Sequence, residues 1–189
     1  MGAANPSPDK SAESAKLASN VFAFDQANQI LVNTSLGTRV MVLDAEFYQA
    51  LTRNLTEVFK SGAQVFLYQA GLAYGELMGR RMTESGRLES TTPDVYFKRY
   101  SSLAIGKFEF PPLASFVAMA PTGVTIGLRE SFFARSLGKT GKAECHIVRG
   151  LLEGTAKYIL KGDYACSEVK CLSKGDPRCE FFLTPAKTG

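Results

Sequence analysis

Apolar positions along this chain first cluster in short β-rich runs and then recur at helical spacing, and the change of period marks out its elements. Ile30-Leu31-Val32 and Arg39-Val40-Met41-Val42-Leu43 are joined by Asn33-Thr34-Ser35-Leu36-Gly37, which predicts a hairpin. Asp44 then precedes Phe47, Leu51, Leu55 and Val58, spaced by four, four and three. That pattern predicts an amphipathic helix with Asp44 as its N-cap and Gly62 as its C-terminal stop. A second helix is predicted from Ala63 to Met82. Its apolar run is interrupted by Gln64, Gln69 and Glu76, which excludes a membrane span. Strands fit residues 107–110 and roughly 114–129, the latter ending in the alternating Val124-Thr125-Ile126-Gly127-Leu128 after a Pro121-Thr122-Gly123 turn. Over Gly141–Leu160, the residues Cys145, Val148, Leu152, Ala156 and Ile159 fall three and four apart and predict one buried helix face. A strand after Lys161 and its hairpin partner complete an α+β domain, an antiparallel sheet with helices packed on one face.

Glycines add a second pattern. Gly71, Gly75 and Gly79 recur every four residues in the second predicted helix, and Gly150 and Gly154 do so in the later one. Each costs about 1 kcal/mol of helix propensity relative to alanine, so something must compensate. A stripe without side chains lets another backbone come close. Helix crossing is the expected reason, ahead of a ligand wall, and the two stripes are expected to face each other.

Composition sets the frame. The 189 residues, 45% hydrophobic and 21% charged, fit one soluble domain with a sizeable core. Residues 1–20 are small, polar and proline-bearing without periodicity and predict a disordered tail, leaving 21–189 as a single domain. A formal charge of +4 without basic runs interleaved with aromatics excludes a nucleic-acid groove. The N-terminus lacks an apolar stretch of signal-peptide type, which predicts a cytoplasmic protein whose thiols stay reduced.

Candidate chemistry lies in the last 45 residues. Cys145, Glu168, Cys171 and Cys179 offer three thiols and a carboxylate, a donor set that meets the four-ligand requirement of structural zinc. Between Cys171 and Cys179, Gly175 and Pro177 predict a tight turn that brings the two sulfurs together. Strict alternation along Tyr164–Cys171 puts Cys166 and Glu168 on one face and Cys171 on the other. For Glu168 and Cys171 to share a metal, the strand must twist or bulge between them. Buried free cysteine packs as a small hydrophobe, so the residues themselves leave metal binding and plain packing open, and Cys166 or His146 could replace Glu168. His146 follows Cys145 and on a helix points about 100° away from it, which favours a packed or surface histidine over a ligand. Lys161, Lys170, Lys174 and Arg178 are near in sequence and are expected to offset the negative charge of the cluster, if they are not ordinary solvated charges.

Several enzyme signatures are missing. Gly138-Lys139-Thr140 lacks the earlier glycine of a phosphate loop, where Phe133 stands, and no dinucleotide fingerprint occurs. His146 is the single histidine.

Ser131-Phe132-Phe133-Ala134-Arg135, Cys145 with Gly150 and Gly154, Glu168-Val169-Lys170-Cys171 and Lys174-Gly175-Asp176-Pro177-Arg178-Cys179-Glu180-Phe181 together resemble the 4-vinyl-reductase (4VR) domain family. That family includes the sensor regions of phenol-responsive transcriptional activators. The resemblance implies a zinc ligand set of Cys145, Glu168, Cys171 and Cys179 in a C-terminal hairpin, with Cys166 left to strand packing. It implies a fold shared with vesicle-tethering subunits, a homodimer, and a small hydrophobic or aromatic ligand near the zinc, with output through a protein partner. The aromatic and aliphatic residues expected to line such a pocket are Tyr96, Phe97, Tyr100, Phe108, Phe116, Val124, Ile126 and Phe132. The chain has no tryptophan, whereas the phenol sensors place a histidine and a tryptophan around their ligand, so the resemblance points away from phenol itself. Alternatives are an assembly subunit whose pocket holds an acyl chain or side chains, a zinc enzyme with a labile Glu168, and an accessory protein of tetrapyrrole vinyl reduction. A zinc closed by four protein ligands has no open position for water, which argues against the enzyme.

Overall fold

The computed structural model describes residues 22–34, 37–84, 105–109 and 122–186. The tail expected over residues 1–20 lies outside them, as do residues 110–121 of the expected strands. Two compact units divide between Leu43 and Asp44.

In the first unit, β1 (Phe22–Asp25), β2 (Ile30–Asn33) and β3 (Thr38–Val40) form an antiparallel sheet in that order. The predicted hairpin is β2–β3, registered Leu31 to Val40 and Asn33 to Thr38, although Met41–Leu43 lie beyond its paired residues. β1 is an addition to the elements expected from the hydrophobic pattern. Asp25 turns the chain from β1 into β2, since its Oδ1 accepts from the backbone N–H groups of Ala27 and Asn28 at 3.0 and 3.2 Å.

The second unit opens with α1 (Ala45–Phe59) and α2 (Gly62–Glu84). Asp44 caps α1 as expected, its Oδ1 accepting from Phe47 N–H at 2.7 Å. The stop differs from expectation. Lys60 ends α1 in a positive-φ conformation at 53°, with its N–H bonded to Thr56, and Gly62 instead begins α2. A four-stranded antiparallel sheet follows, of β4 (Lys107–Glu109), β5 (Val124–Arg129), β6 (Tyr164–Lys170) and β7 (Cys179–Pro185), ordered β4-β5-β7-β6. Between β5 and β6 lie α3 (Phe132–Leu137) and α4 (His146–Ile159). Ser131 caps α3, a short helix that the apolar spacing does not predict.

Alternation sorts the sheet into two faces. Phe108, Val124, Ile126, Leu128, Cys179, Phe181 and Leu183 are all buried and stand opposite one another across the ladder, Ile126 against Phe181 and Val124 against Leu183. Their neighbours in sequence form a charged outer face. Lys170 pairs with Glu180 at 2.9 Å, Arg178 bridges Glu180 and Glu109 at 2.7 Å each, and Arg129 closes on Glu109 at 2.5 Å. The chain of alternating charges crosses all four strands and leaves the apolar residues for the inner face.

The glycine stripes face each other, as their spacing suggests. A Cβ on Gly71 would lie 2.1 Å from the Ile147 carbonyl oxygen, and one on Gly150 would lie 2.1 Å from that of Tyr68. Gly75 and Gly154 make the next such step, at 2.4 Å from Leu151 O and 2.3 Å from Leu72 O. α2 and α4 therefore cross backbone against backbone, which offsets the propensity lost at each glycine. α4 is tied to the edge of the sheet as well. Glu153 accepts from the Tyr68 hydroxyl of α2 at 2.5 Å and from the Cys166 N–H of β6 at 2.7 Å. Arg149 stacks its guanidinium over the Tyr68 ring, 4.5 Å from the centroid.

Candidate metal centre

Three chain segments converge at the end of the sheet. Cys145 precedes α4 and occupies its N-cap position, so the helix starts five residues after Gly141, where the sequence pattern placed it. The intervening loop is held out of helical geometry by a distant contact, because Thr140 N–H and Gly141 N–H both donate to the Ser173 carbonyl, at 3.0 and 2.9 Å. Glu168 comes from β6. Cys171 and Cys179 flank a 3₁₀ turn at Leu172–Lys174, closed by Lys174 N–H and Asp176 N–H donating to the Cys171 carbonyl at 2.9 and 3.2 Å. Gly175 takes a left-handed φ of 101° at the exit of that turn.

The strand irregularity that a shared site demands is present. Glu168 registers with Phe181 and Lys170 with Glu180, so the ladder slips between them and Val169 is the extra residue. Without that bulge Cys171 would point to the charged outer face; with it, Cys171 is fully buried beside Cys145 and Cys179.

One ligand atom from each of Cys145, Glu168, Cys171 and Cys179 lies within 4.8 Å of the others. The Sγ atoms of Cys145 and Cys179 are 3.6 Å apart, and those of Cys179 and Cys171 4.0 Å. All four cysteines are free thiols. Sulfurs bound to a tetrahedral ion at about 2.3 Å sit just under 4 Å from one another, so these separations match a shared cation and not a disulfide.

The polar groups around the cluster point the same way. Cys145 N–H donates to Glu168 Oε2 at 3.0 Å, while Glu168 Oε1 is buried with no hydrogen-bond partner. Ser131 Oγ lies 3.2 Å from Cys145 Sγ, Leu172 N–H donates to Cys179 Sγ at 3.4 Å, and Asp176 accepts from Cys171 N–H at 2.8 Å. Such groups orient ligands and steady their negative charge. Without a cation the set is electrostatically frustrated. Burial, reinforced by Cys171, pushes the Glu168 carboxyl up to about 8. Hydrogen bonding to Cys171 and Cys179, together with burial, raises the Cys145 thiol well above its ordinary value, while hydrogen bonds from Cys145 and Cys179 lower Cys171. Four acidic groups in one desolvated volume resist ionising together, and a divalent cation removes that conflict. The donor set, the unpartnered Oε1 and the spacing all fit a metal.

Other sequence-predicted residues fall elsewhere. Cys166 is buried in β6, on the same face as Glu168 but outside the group of four. His146 is buried too, with Nε2 unpartnered and its basicity lowered by burial, and it is not among the four. Lys170 and Arg178, expected to offset the cluster's charge, belong to the outer-face ladder with Glu180 and Glu109. Of the pocket residues, Phe108, Val124 and Ile126 lie on the buried sheet face, and Phe132 opens α3 with its ring 5.9 Å from that of Tyr48. Tyr96, Phe97, Tyr100 and Phe116 lie outside the described residues. Ser131, Ser173, Asp176 and Tyr48 belong to this region without having been expected there. Ser131 before an apolar helix start and Asp176 in a Gly-Asp-Pro turn were the available signals.

The span from β5 to β7 contains every ligand and the sheet that carries them. Residues 124–185 match the 4-vinyl-reductase (4VR) domain family. This is the family that the cysteine pattern resembles, and the match ends at the last residue of β7. A curated relative, an uncharacterised protein from Methanocaldococcus jannaschii, is 24% identical over 123 residues, 65% of this chain and 65% of its own length. Among solved structures, the phenol-responsive sensory domain of the transcription activator PoxR, determined with phenol, aligns with a TM-score of 0.71 at 15% identity, covering 97% of this chain and 93% of that one. A vinyl-4-reductase family protein from M. jannaschii aligns at 0.59 and 15% identity, covering 78% and 85%. These 4VR-type structures share the fold described above, a mixed assembly of helices and antiparallel sheet. Among the described residues no helix is long and apolar enough to cross a membrane.

Proposed function

We propose that this chain is a small-molecule sensing domain in which a zinc ion held by Cys145, Glu168, Cys171 and Cys179 braces the sheet beside an apolar binding pocket. The observation that carries the metal half is the convergence of the four ligand atoms within 4.8 Å, with Glu168 Oε1 buried and otherwise unpartnered. Zinc suits a set of three thiolates and one carboxylate better than the hard cations, which take oxygen, and a full complement of four protein ligands marks a structural site. Bound there, the ion supplies charge neutralisation and cross-linking of the segments before α4, at the end of β6 and around the 3₁₀ turn.

The ligand half is supported by the likeness to the sensory domain of PoxR, which is phenol-responsive, and by the match to the 4VR domain family. In this reading Phe108, Val124 and Ile126 contribute the apolar wall, and the ligand is hydrophobic or aromatic. The protein acts as a homodimer and passes its signal to a protein partner.

Native mass spectrometry of the purified chain tests both halves. One zinc per chain together with a co-purifying small molecule, or binding of an added alkylphenol or other small aromatic with a rise in melting temperature, is expected. A metal-free protein of unchanged stability that binds none of them overturns the reading.

A further inference from the structure

The apolar stripe of α1 is out of place. Its periodicity is that of a helix packed on a core, yet the residues it buries are Tyr48 and Thr52, on the side turned to α3, where Tyr48 meets the Phe133 ring at 5.0 Å. The stripe itself is open: Phe47 is 51% exposed, Leu51 40%, Val58 70% and Phe59 56%. α2 continues it. Phe59 stacks on Phe66 with centroids 6.5 Å apart and planes at 2°, and Phe66 and Val65 are themselves 57% and 59% exposed. With aromatic side chains offering roughly 150–250 Å² each, these six present apolar surface on the order of 600 Å². That is the upper end of what a soluble monomer leaves uncovered, about 300–600 Å².

We infer that this surface is the twofold interface of a homodimer, with α1 packed antiparallel against α1 of a second copy. The area fits: a stable interface takes about 800 Å² from each partner, which an apolar centre on the order of 600 Å² reaches with its polar rim. The stripe is also self-complementary. An antiparallel pairing centred between Leu51 and Leu55 sets Phe47 against Phe59 of the partner subunit and Leu51 against Leu55 of the partner subunit, like size on like size. The same register brings Glu46, in the first turn, to Lys60 of the partner subunit, at the opposite helix end; both are exposed. A twofold axis repeats each of these contacts, so one stripe and one charge pair supply both halves of the interface. The helices are antiparallel, which also opposes their dipoles.

This inference rests on the homodimeric reading above and names its surface. Light scattering coupled to size-exclusion chromatography on the zinc-replete full chain tests it, with variants Leu51→Glu, Glu46→Lys, Lys60→Glu and the double Glu46→Lys/Lys60→Glu. A dimer is expected for the unaltered chain. Leu51→Glu, at an exposed site that leaves circular dichroism and zinc content unchanged, raises the dimer dissociation constant roughly 30-fold or more, the loss typical of a central interface residue. Each charge reversal weakens the dimer and the double reversal restores it, which a merely structural role of either residue does not produce. A monomeric unaltered chain overturns both the dimer and its surface. A dimer indifferent to Leu51→Glu, or a double reversal weaker than either single one, overturns this surface alone.

Discussion

The backbone N–H of Cys145 donates to Glu168 Oε2 at 3.0 Å, across 23 residues, and leaves Oε1 of the same carboxylate facing three buried sulfurs. One oxygen positions the group and the other is available as a ligand. Glu168→Gln keeps an acceptor for Cys145 N–H but loses the anionic donor, and Glu168→Ala loses both. Zinc affinity, followed by competition with a chelator, is expected to fall roughly 10- to 100-fold for glutamine, the range seen when groups supporting a metal site are lost, and further for alanine. Equal affinity in all three proteins would remove Glu168 from the site.

Cys179 offers the sharper test of whether the metal holds the fold together. Binding at a site formed only in the folded state adds directly to folding stability. Cys179→Ser is expected to lower the melting temperature, and chelator treatment of the unaltered chain is expected to lower it by a similar amount. Chelator added to Cys179→Ser should then do little. The magnitude is several kcal/mol, because a buried ligand set stripped of its ion leaves acidic groups crowded together. A chelator-insensitive melting curve for the unaltered protein contradicts the metal site.

Much of this arrangement is legible in the residues. Asp44 announces the start of α1, and the side chain caps it. The four-residue glycine stripes announce a close helix crossing, and the missing Cβ positions meet backbone carbonyls at 2.1 Å. The alternation of β6 also says that Glu168 and Cys171 can meet only through a bulge, and Val169 makes it. What escaped had physical reasons. β1 and α3 are four and six residues long, too short to show a period. Lys60 ends α1 with a positive φ that non-glycine residues seldom adopt, so Gly62 looked the better stop. The late start of α4 depends on Ser173, more than thirty residues on, capturing the N–H groups of Thr140 and Gly141. The stripe of α1 reads the same whether a core or another molecule covers it, because periodicity reports a face and not its occupant.

The glycine crossing makes a prediction of sign. Gly150→Ala puts a methyl group 2.1 Å from the Tyr68 carbonyl oxygen, against backbone that cannot rotate away. Overpacking of that kind costs about 1–3 kcal/mol or more, which exceeds the propensity gain of about 1 kcal/mol. Gly62→Ala meets only Phe59 Cβ, at 3.6 Å, an ordinary contact. Urea unfolding should therefore show Gly150→Ala destabilised and Gly62→Ala neutral or slightly stabilised. Similar effects at both positions would mean that α2 and α4 do not cross at this separation.

The outer-face ladder predicts a pH dependence. Glu180 is mostly covered, and Lys170 at 2.9 Å and Arg178 at 2.7 Å hold its carboxyl below the usual glutamate range. A carboxyl lowered in the folded state binds its proton more readily when unfolded, so its contribution is present above the ordinary glutamate value, about 4.3, and fades as pH falls through the lower folded one. Comparing the unaltered chain with Glu180→Gln isolates this group, since acid release of the metal affects both alike. The difference should be about 1 kcal/mol at neutral pH, in keeping with partly exposed Lys170 and Arg178, and should shrink with added salt. Below the glutamate range it should vanish. A difference that persists unchanged in acid would mean that Glu180 contributes through packing and not through its charge.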